Sequence, residues 1–204
     1  MSVSRQEDPR ANQKERTRSA LIAAAEELLR RGTPPTVAEA AEHAKVSRAT
    51  AYRYFPTQDS MLLEVAEINP AVKPIDELVA QLSGDDVEAR MLQLQDKFNR
   101  FALDNEVAMR SLLQASLGVW LANRNGKDHL PVRQGRRVRW LDKVLEPLKE
   151  KLTKRQLQRL RAALALTLSV EALIIMKDVC RLDDAEALAT LRWTAQTLLR
   201  SGLR

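Results

Sequence analysis

The chain has one cysteine, Cys180, which rules out an internal disulfide framework and a four-thiolate zinc site. It has only two histidines, His43 and His129, and neither has partners at metal-ligand spacing. Six glycines are too few and too scattered to form a phosphate-cradling loop, and no nucleophile elbow occurs. The most apolar stretch, Ala162 to Met176, is interrupted by Thr167, Ser169 and Glu171 and falls short of the roughly 20 residues that span a membrane. The opening residues, MSVSRQEDPRANQKERTR, hold charges of both signs and no apolar segment of the secretory kind. These absences lead us to expect a cytoplasmic protein that is not an enzyme and carries no cofactor or metal.

What is present is helical in pattern. Of 204 residues, 45% are hydrophobic and 29% charged, and the apolar ones recur at spacings of three and four rather than in alternation, so the expected fold class is all-α. The net charge of +6 permits an acidic partner, but its distribution is uneven. Met1 to Glu67 holds ten basic and ten acidic residues, whereas Arg124 to Arg161 holds thirteen basic against four acidic, an excess of +9. That segment reads as a solvated helical surface or dimer rim, or as an auxiliary surface for a polyanion.

Residues 1–10 read as a disordered arm, residues 11–69 as one domain and residues 75–204 as a second, larger helical domain. Leu21, Ala24, Ala25, Leu28 and Leu29 form the stripe of a first helix, stopped by Gly32, Pro34 and Pro35. Thr36 with Glu39 forms the capping box of a second, whose stripe is Val37, Ala40, Ala41 and Ala44. Ser47 signals another start only a few residues later, so a turn of about three residues, Ala44 to Val46, joins two short helices into a helix-turn-helix. Pro56 ends the third helix, and Thr57 is placed to cap a fourth through Met61, Leu62, Val65 and Ile68. Further helices are expected at Ile75–Leu82, Asp86–Asp104, Glu106–Asn123, Pro131–Lys151, Lys154–Cys180 and Asp184–Ser201, with Asn125–Gly126 a break and Thr153 and Asp183 as caps.

In the third helix Ala51 and Phe55 share an inward face with Val46, and the opposite face carries Arg48, Ala49, Tyr52 and Arg53. A helix that reads DNA needs this division, with one side fixed to its domain and the other reaching phosphates and base edges. Arg48 and Arg53 can pair with phosphate or give two hydrogen bonds to guanine. Tyr52 and Tyr54 can bond phosphate through their hydroxyls or, alternatively, form an aromatic mini-core with Phe55.

The stretch from Thr17 to Glu67, including TVAEAAEHAKVSRATAYRYFPTQDSML, resembles the N-terminal domain of the TetR family of transcriptional regulators. The resemblance implies an N-terminal three-helix, helix-turn-helix DNA-binding domain followed by a larger helical effector and dimerisation domain. By position it implies that Thr36 and Ser47 cap helices beside the phosphate backbone and that Arg48, Ala49, Thr50 and Arg53 approach bases or phosphates. It makes Tyr52 and Tyr54 a clamp on the backbone. Two positions depart from the family pattern. Lys45 stands where the turn usually has glycine, and Gln58 where a phosphate-contacting lysine is usual; Lys45 can partly substitute for that lysine, or strain the turn if its φ is positive.

The same resemblance implies a homodimer formed through the last two long helices, a palindromic operator in double-stranded DNA, and a small-molecule effector that releases the DNA. Arg110, Gln114, Trp120 and Glu171 are the candidate effector-binding residues, while core packing is the readier account of Trp120, Trp140 and Trp193. Glu171 stands equally for an ion pair across the dimer. A competing reading is a helical protein–protein adaptor whose helix-turn-helix is only a packing unit.

Overall fold

The computed structural model describes residues 9–68, 72–124 and 135–203, and among them there are eleven α-helices and no strand. Contacts divide the chain into two compact units, Met1–Asn69 with Val107–Arg133, and Pro70–Glu106 with Gln134–Arg204.

In the first unit α1 (Pro9–Arg30) opens with a proline, a residue suited to the first helical turn because its missing N–H would be unpaired there anyway. The helix therefore includes Pro9 and Arg10, the end of the stretch expected to be an arm; residues 1–8 lie outside the described residues. Leu21, Ile22, Ala25 and Leu29 from α1 meet Val37, Ala40 and Ala41 of α2 (Val37–His43), Ala51 of α3 (Arg48–Tyr54), Phe55, and Met61, Leu62 and Val65 of α4 (Gln58–Ile68) in one core. The Ile68 side chain lies outside the described residues. The core is completed by Ala115 of α7 (Glu106–Asn123), with Ala108 and Leu112 packed against it. Gly118 gives α7 a close approach to α4, since a Cβ there would collide with Asp59 Oδ2.

The second unit contains α5 (Lys73–Gln81), α6 (Val87–Asp104), α8 (Arg136–Val144), α9 (Lys154–Thr167), α10 (Val170–Ile174) and α11 (Asp184–Gly202). Its helices are joined by specific polar bonds as well as apolar contact. Gln95 donates from Nε2 to Leu191 O at 2.9 Å, tying α6 to α11, and Trp140 donates from Nε1 to Asp76 Oδ1 at 2.7 Å, tying α8 to α5. The Phe98 and Trp140 rings meet edge to face at 6.3 Å. Arg90, 5% exposed, donates to Gly84 O and Lys143 O.

Three expectations are corrected here. The helix expected over Pro131–Lys151 ends at Val144 and is followed by a 3₁₀ turn at Glu146–Leu148, because Pro147 has no N–H to give and pushes Glu146 away from the α region; residues 131–134 and the break at Asn125–Gly126 lie outside the described residues. The helix expected over Lys154–Cys180 is interrupted at Leu168 and Ser169. Ser169 is extended (φ −145°, ψ 146°) and its Oγ accepts from Ala172 N at 3.0 Å, capping a new helix, while Leu168 O accepts from Arg137 Nη1 at 2.9 Å. After α10 the backbone widens into a π turn at Ile175–Val179. Finally, Trp140 is buried as expected, but Trp120 and Trp193 are 54% and 65% exposed and are not core residues.

Ser169→Ala removes the cap that starts α10, and the expected cost is about 1 kcal/mol of folding stability. Urea unfolding followed by circular dichroism measures it, and an unchanged midpoint would show that the break is held by packing alone.

Candidate nucleic-acid interface

Local bonding places the surface of α3. Thr36 caps α2: its Oγ1 accepts from Glu39 N at 3.2 Å, and Glu39 Oε2 accepts from Thr36 N at 2.7 Å and Thr36 Oγ1 at 2.8 Å. The turn after α2 is closed by Lys45 N donating to Glu42 O at 3.1 Å and Val46 N to Ala41 O at 2.9 Å. This pair of bonds is the Schellman arrangement, which requires a left-handed residue between them. Lys45 is that residue, with φ +56°. Its positive φ is the strained alternative anticipated for a non-glycine at this position.

Ser47 then caps α3, its Oγ accepting from Thr50 N at 3.2 Å and donating to Thr50 Oγ1 at 2.9 Å. Both cap hydroxyls therefore direct their protons to neighbours on their own helices.

Ala51 is fully buried and Phe55 is 2% exposed, whereas Arg48, Ala49, Tyr52 and Arg53 are exposed, Tyr52 at 47%. The division of faces read from the sequence is the one observed. Tyr54 is half-buried against the core with the Arg53 guanidinium 5.9 Å from its ring centroid, so it belongs in part to the aromatic packing. Gln58 is half-buried at the start of α4, and Lys45 is exposed. Thr57 caps α4, accepting from Ser60 N at 3.1 Å.

The tie between α1 and α4 is not legible in the sequence. Arg18 pairs through two nitrogens with Glu64, 46 positions away, and its guanidinium lies 5.7 Å from the Phe55 ring centroid. No periodicity links residues so far apart, and only the folded core brings them together.

The residues singled out for an effector fall in different places. Arg110, Gln114 and Trp120 lie on α7 in the first unit, with Gln114 and Trp120 exposed and Arg110 half-buried; Glu171 lies on α10 in the second, its Oε2 3.9 Å from Arg137 Nη1 within the same chain. His43 is exposed, and His129 lies outside the described residues. Among the described residues no group of three His, Cys, Asp or Glu is arranged to hold a metal ion, and no helix is long and apolar enough to cross a membrane.

Residues 21–65 match the family model of bacterial regulatory proteins, tetR family, a span that begins in α1 and ends in α4. Residues 21–65 are thus similar to the N-terminal domain of that family. The fold is also similar to that of a TetR transcriptional regulator from Rhodococcus sp. RHA1, with a TM-score of 0.62, 18% identity, and coverage of 91% of this chain and 97% of that one. No curated protein matches the chain significantly. The matched span includes α2, the turn and α3, a helix-turn-helix, and supports a DNA-binding transcriptional regulator.

Two outcomes follow from the caps and the turn. Lys45→Gly removes a left-handed conformation that costs a side-chain-bearing residue on the order of 1 kcal/mol, so a raised urea midpoint is expected, reduced by the extra freedom of glycine in the unfolded chain. Hydrogen bonds from Thr36, first its backbone N–H and then its hydroxyl, hold the Glu39 carboxyl below its ordinary value. A lowered folded-state pKa contributes stability above the unfolded-state value and loses it as pH falls through the folded one. Glu39→Gln keeps a capping box but cannot titrate, so the variant should lose less stability than wild type across that acidic window; equal pH profiles would refute the assignment.

Proposed function

We propose that the protein is a ligand-responsive repressor that acts as a homodimer on a palindromic operator. The observation that carries the DNA contacts is the split of α3, whose Ala51 and Phe55 side is buried while Arg48, Ala49, Tyr52 and Arg53 face solvent. In this reading Arg48 and Arg53 reach guanine edges or phosphates, and Thr50 donates to the backbone beside Ser47 and Thr36. Tyr52 packs on a thymine methyl or bonds phosphate, with Tyr54 and Gln58 closing on the flanking backbone and Lys45 adding a phosphate contact.

The homodimer proposal is supported by apolar side chains that the second unit leaves uncovered. Leu166 and Val179 are each 71% exposed, and Trp193 on α11 and Ile175 on the π turn are also exposed. Burying such groups against a second copy is favourable by about 25 cal/mol per Å² of apolar surface. A twofold dimer would then present its two recognition helices to half-sites about 34–36 Å apart or a multiple of that.

Effector response is supported by two buried oxygens on α6. Gln95 is fully buried and Asn99 is 2% exposed, and neither Gln95 Oε1 nor Asn99 Oδ1 has a hydrogen-bond partner among the described residues. A small molecule carrying N–H or O–H donors would satisfy them, and a buried acceptor left unpaired costs on the order of 1–3 kcal/mol. Arg110, Gln114, Trp120 and Glu171 stay within the proposal as candidate effector contacts. Release of DNA requires that the effector bind the DNA-incompetent state more tightly than the competent one.

Combining Arg48→Ala with Tyr52→Ala should leave helical content and melting unchanged, since both side chains are exposed, and weaken binding to selected operator duplexes by about 1–3 kcal/mol for each base interaction removed. Retained affinity would favour an adaptor over a DNA reader. Trp193→Glu with Leu166→Glu should convert the dimer to monomer by size-exclusion chromatography with light scattering; a wild type that is already monomeric would remove the twofold reading.

A further inference from the structure

The excess positive charge of this chain lies outside its first 67 residues. From Met1 to Glu67 basic and acidic residues balance at ten each. In the second unit, several described arginines and lysines on the helical surfaces are neutralised nearby: Arg161 pairs with Asp142, Lys177 with Glu106 and Asp184, Arg192 with Asp96, and Arg200 with Glu88. Lys97, Arg100, Arg139 and Arg181 are exposed without an ion pair to a described residue, and five further cations share that state within one short stretch of the sequence. Lys149, Lys151, Lys154, Arg155 and Arg159 are all exposed and form no ion pair with a described residue, and the one carboxylate between positions 149 and 159 is Glu150. Glu146 is already paired with Lys143, and it feels Lys149 only at longer range.

The placement of two of them works against α9. Thr153 caps α9, so Lys154 and Arg155 occupy its first two positions, where the helix dipole is positive and a cation is unfavourable. Leu160 and Leu164 mark the buried side of α9, and Lys154, Arg155, Gln158 and Arg159 are exposed away from it. Five charges without an ion pair to a described residue cannot enter the dry centre of an interface without a large desolvation cost, so the surface stays open to an anion.

We infer that this face, from Lys149 to Arg159, is a second nucleic-acid surface that engages the phosphate backbone of duplex DNA without reading its sequence. The inference rests on the DNA-binding reading of α3. Duplex DNA is favoured over other polyanions because a regulator draws its non-specific affinity and fast association from phosphate neutralisation, a contribution that the balanced charges of residues 1–67 do not supply. The basic face supplies it from elsewhere in the same chain.

The test is a potassium chloride titration of binding to a fluorescent random-sequence duplex, read by anisotropy. It compares wild type, a Lys154→Gln, Arg155→Gln, Arg159→Gln triple variant, a Lys149→Gln, Lys151→Gln double variant, and the Arg48→Ala, Tyr52→Ala head variant. Removing one phosphate-neutralising cation should lower the slope of log affinity against log salt by about 0.9, so the triple variant should lower it by up to about 2.7, with an affinity drop of tenfold or more at low salt that fades at high salt. Its melting temperature should stay level or rise, because a clash with the helix dipole has been removed, and the double variant repeats the effect without touching α9. A wild type that binds no duplex overturns both this inference and the DNA-binding reading. A wild type that binds with a slope unaltered in both glutamine variants overturns this inference alone, as does binding to phosphatidylglycerol vesicles that depends on these residues while the DNA slope does not.

Discussion

Everything that α3 can do depends on the anchoring of Ala51 and Phe55 in the core of the first unit. A seven-residue helix has no independent stability in water, since its first turn costs more than its few hydrogen bonds return. Its existence is therefore a property of the docking site: α1 and α2 beneath it, Met61 and Leu62 of α4 beside it, and the Arg18–Glu64 pair lying across the Phe55 ring. Because the inward side is set by two apolar groups one turn apart, the outward side is set too. Arg48, Tyr52 and Arg53 are exposed as a consequence of packing, and no separate device has to aim them.

The turn before α3 shows what that aim demands. Lys45 sits in a left-handed conformation between two hydrogen bonds that only such a residue can make. Glycine would adopt it with less strain, yet the chain has a lysine, whose charge is exposed next to α3. Strain of this kind persists only where the surrounding structure over-determines it, and here the buried Ala41 on one side and the partly buried Val46 on the other leave the turn no other path. A phosphate-binding role for the ammonium would give the strained choice a function, in a chain whose fourth helix begins with Gln58 in place of a lysine.

Much of this is legible in the sequence because it is local. Caps at Thr36, Ser47, Thr57, Thr153 and Asp183 each depend on a hydroxyl or carboxylate reaching a backbone N–H three residues on, and periodic apolar residues reveal a helix's inner face wherever one core covers one side. What escapes the sequence is non-local. The break between α9 and α10 lies inside a largely apolar run, and its Leu168 carbonyl is taken up by Arg137, 31 positions away. Periodicity gives the inner side of α7 but not which core receives it, and Ala115 settles that by packing with the first unit. Residue type alone would send Trp120 and Trp193 to a core, but size does not bury a ring when its helical position points outward.

The distribution of charge separates two tasks that a DNA regulator has to perform. Discrimination between sequences needs a few side chains held in register, and strong general attraction would work against it by lowering the contrast between operator and bulk DNA. Search needs the opposite, a field of unpaired cations that exchanges counterions with any duplex. In this chain α3 exposes two arginines and a tyrosine in a unit whose first 67 residues carry no net charge, while five cations without an ion pair to a described residue gather around the start of α9 in the other unit. A dimer of such chains would carry the second feature twice on whatever face its apolar contact leaves open. Affinity for DNA in general could then be raised or lowered by changes near α9 without altering a single group on α3.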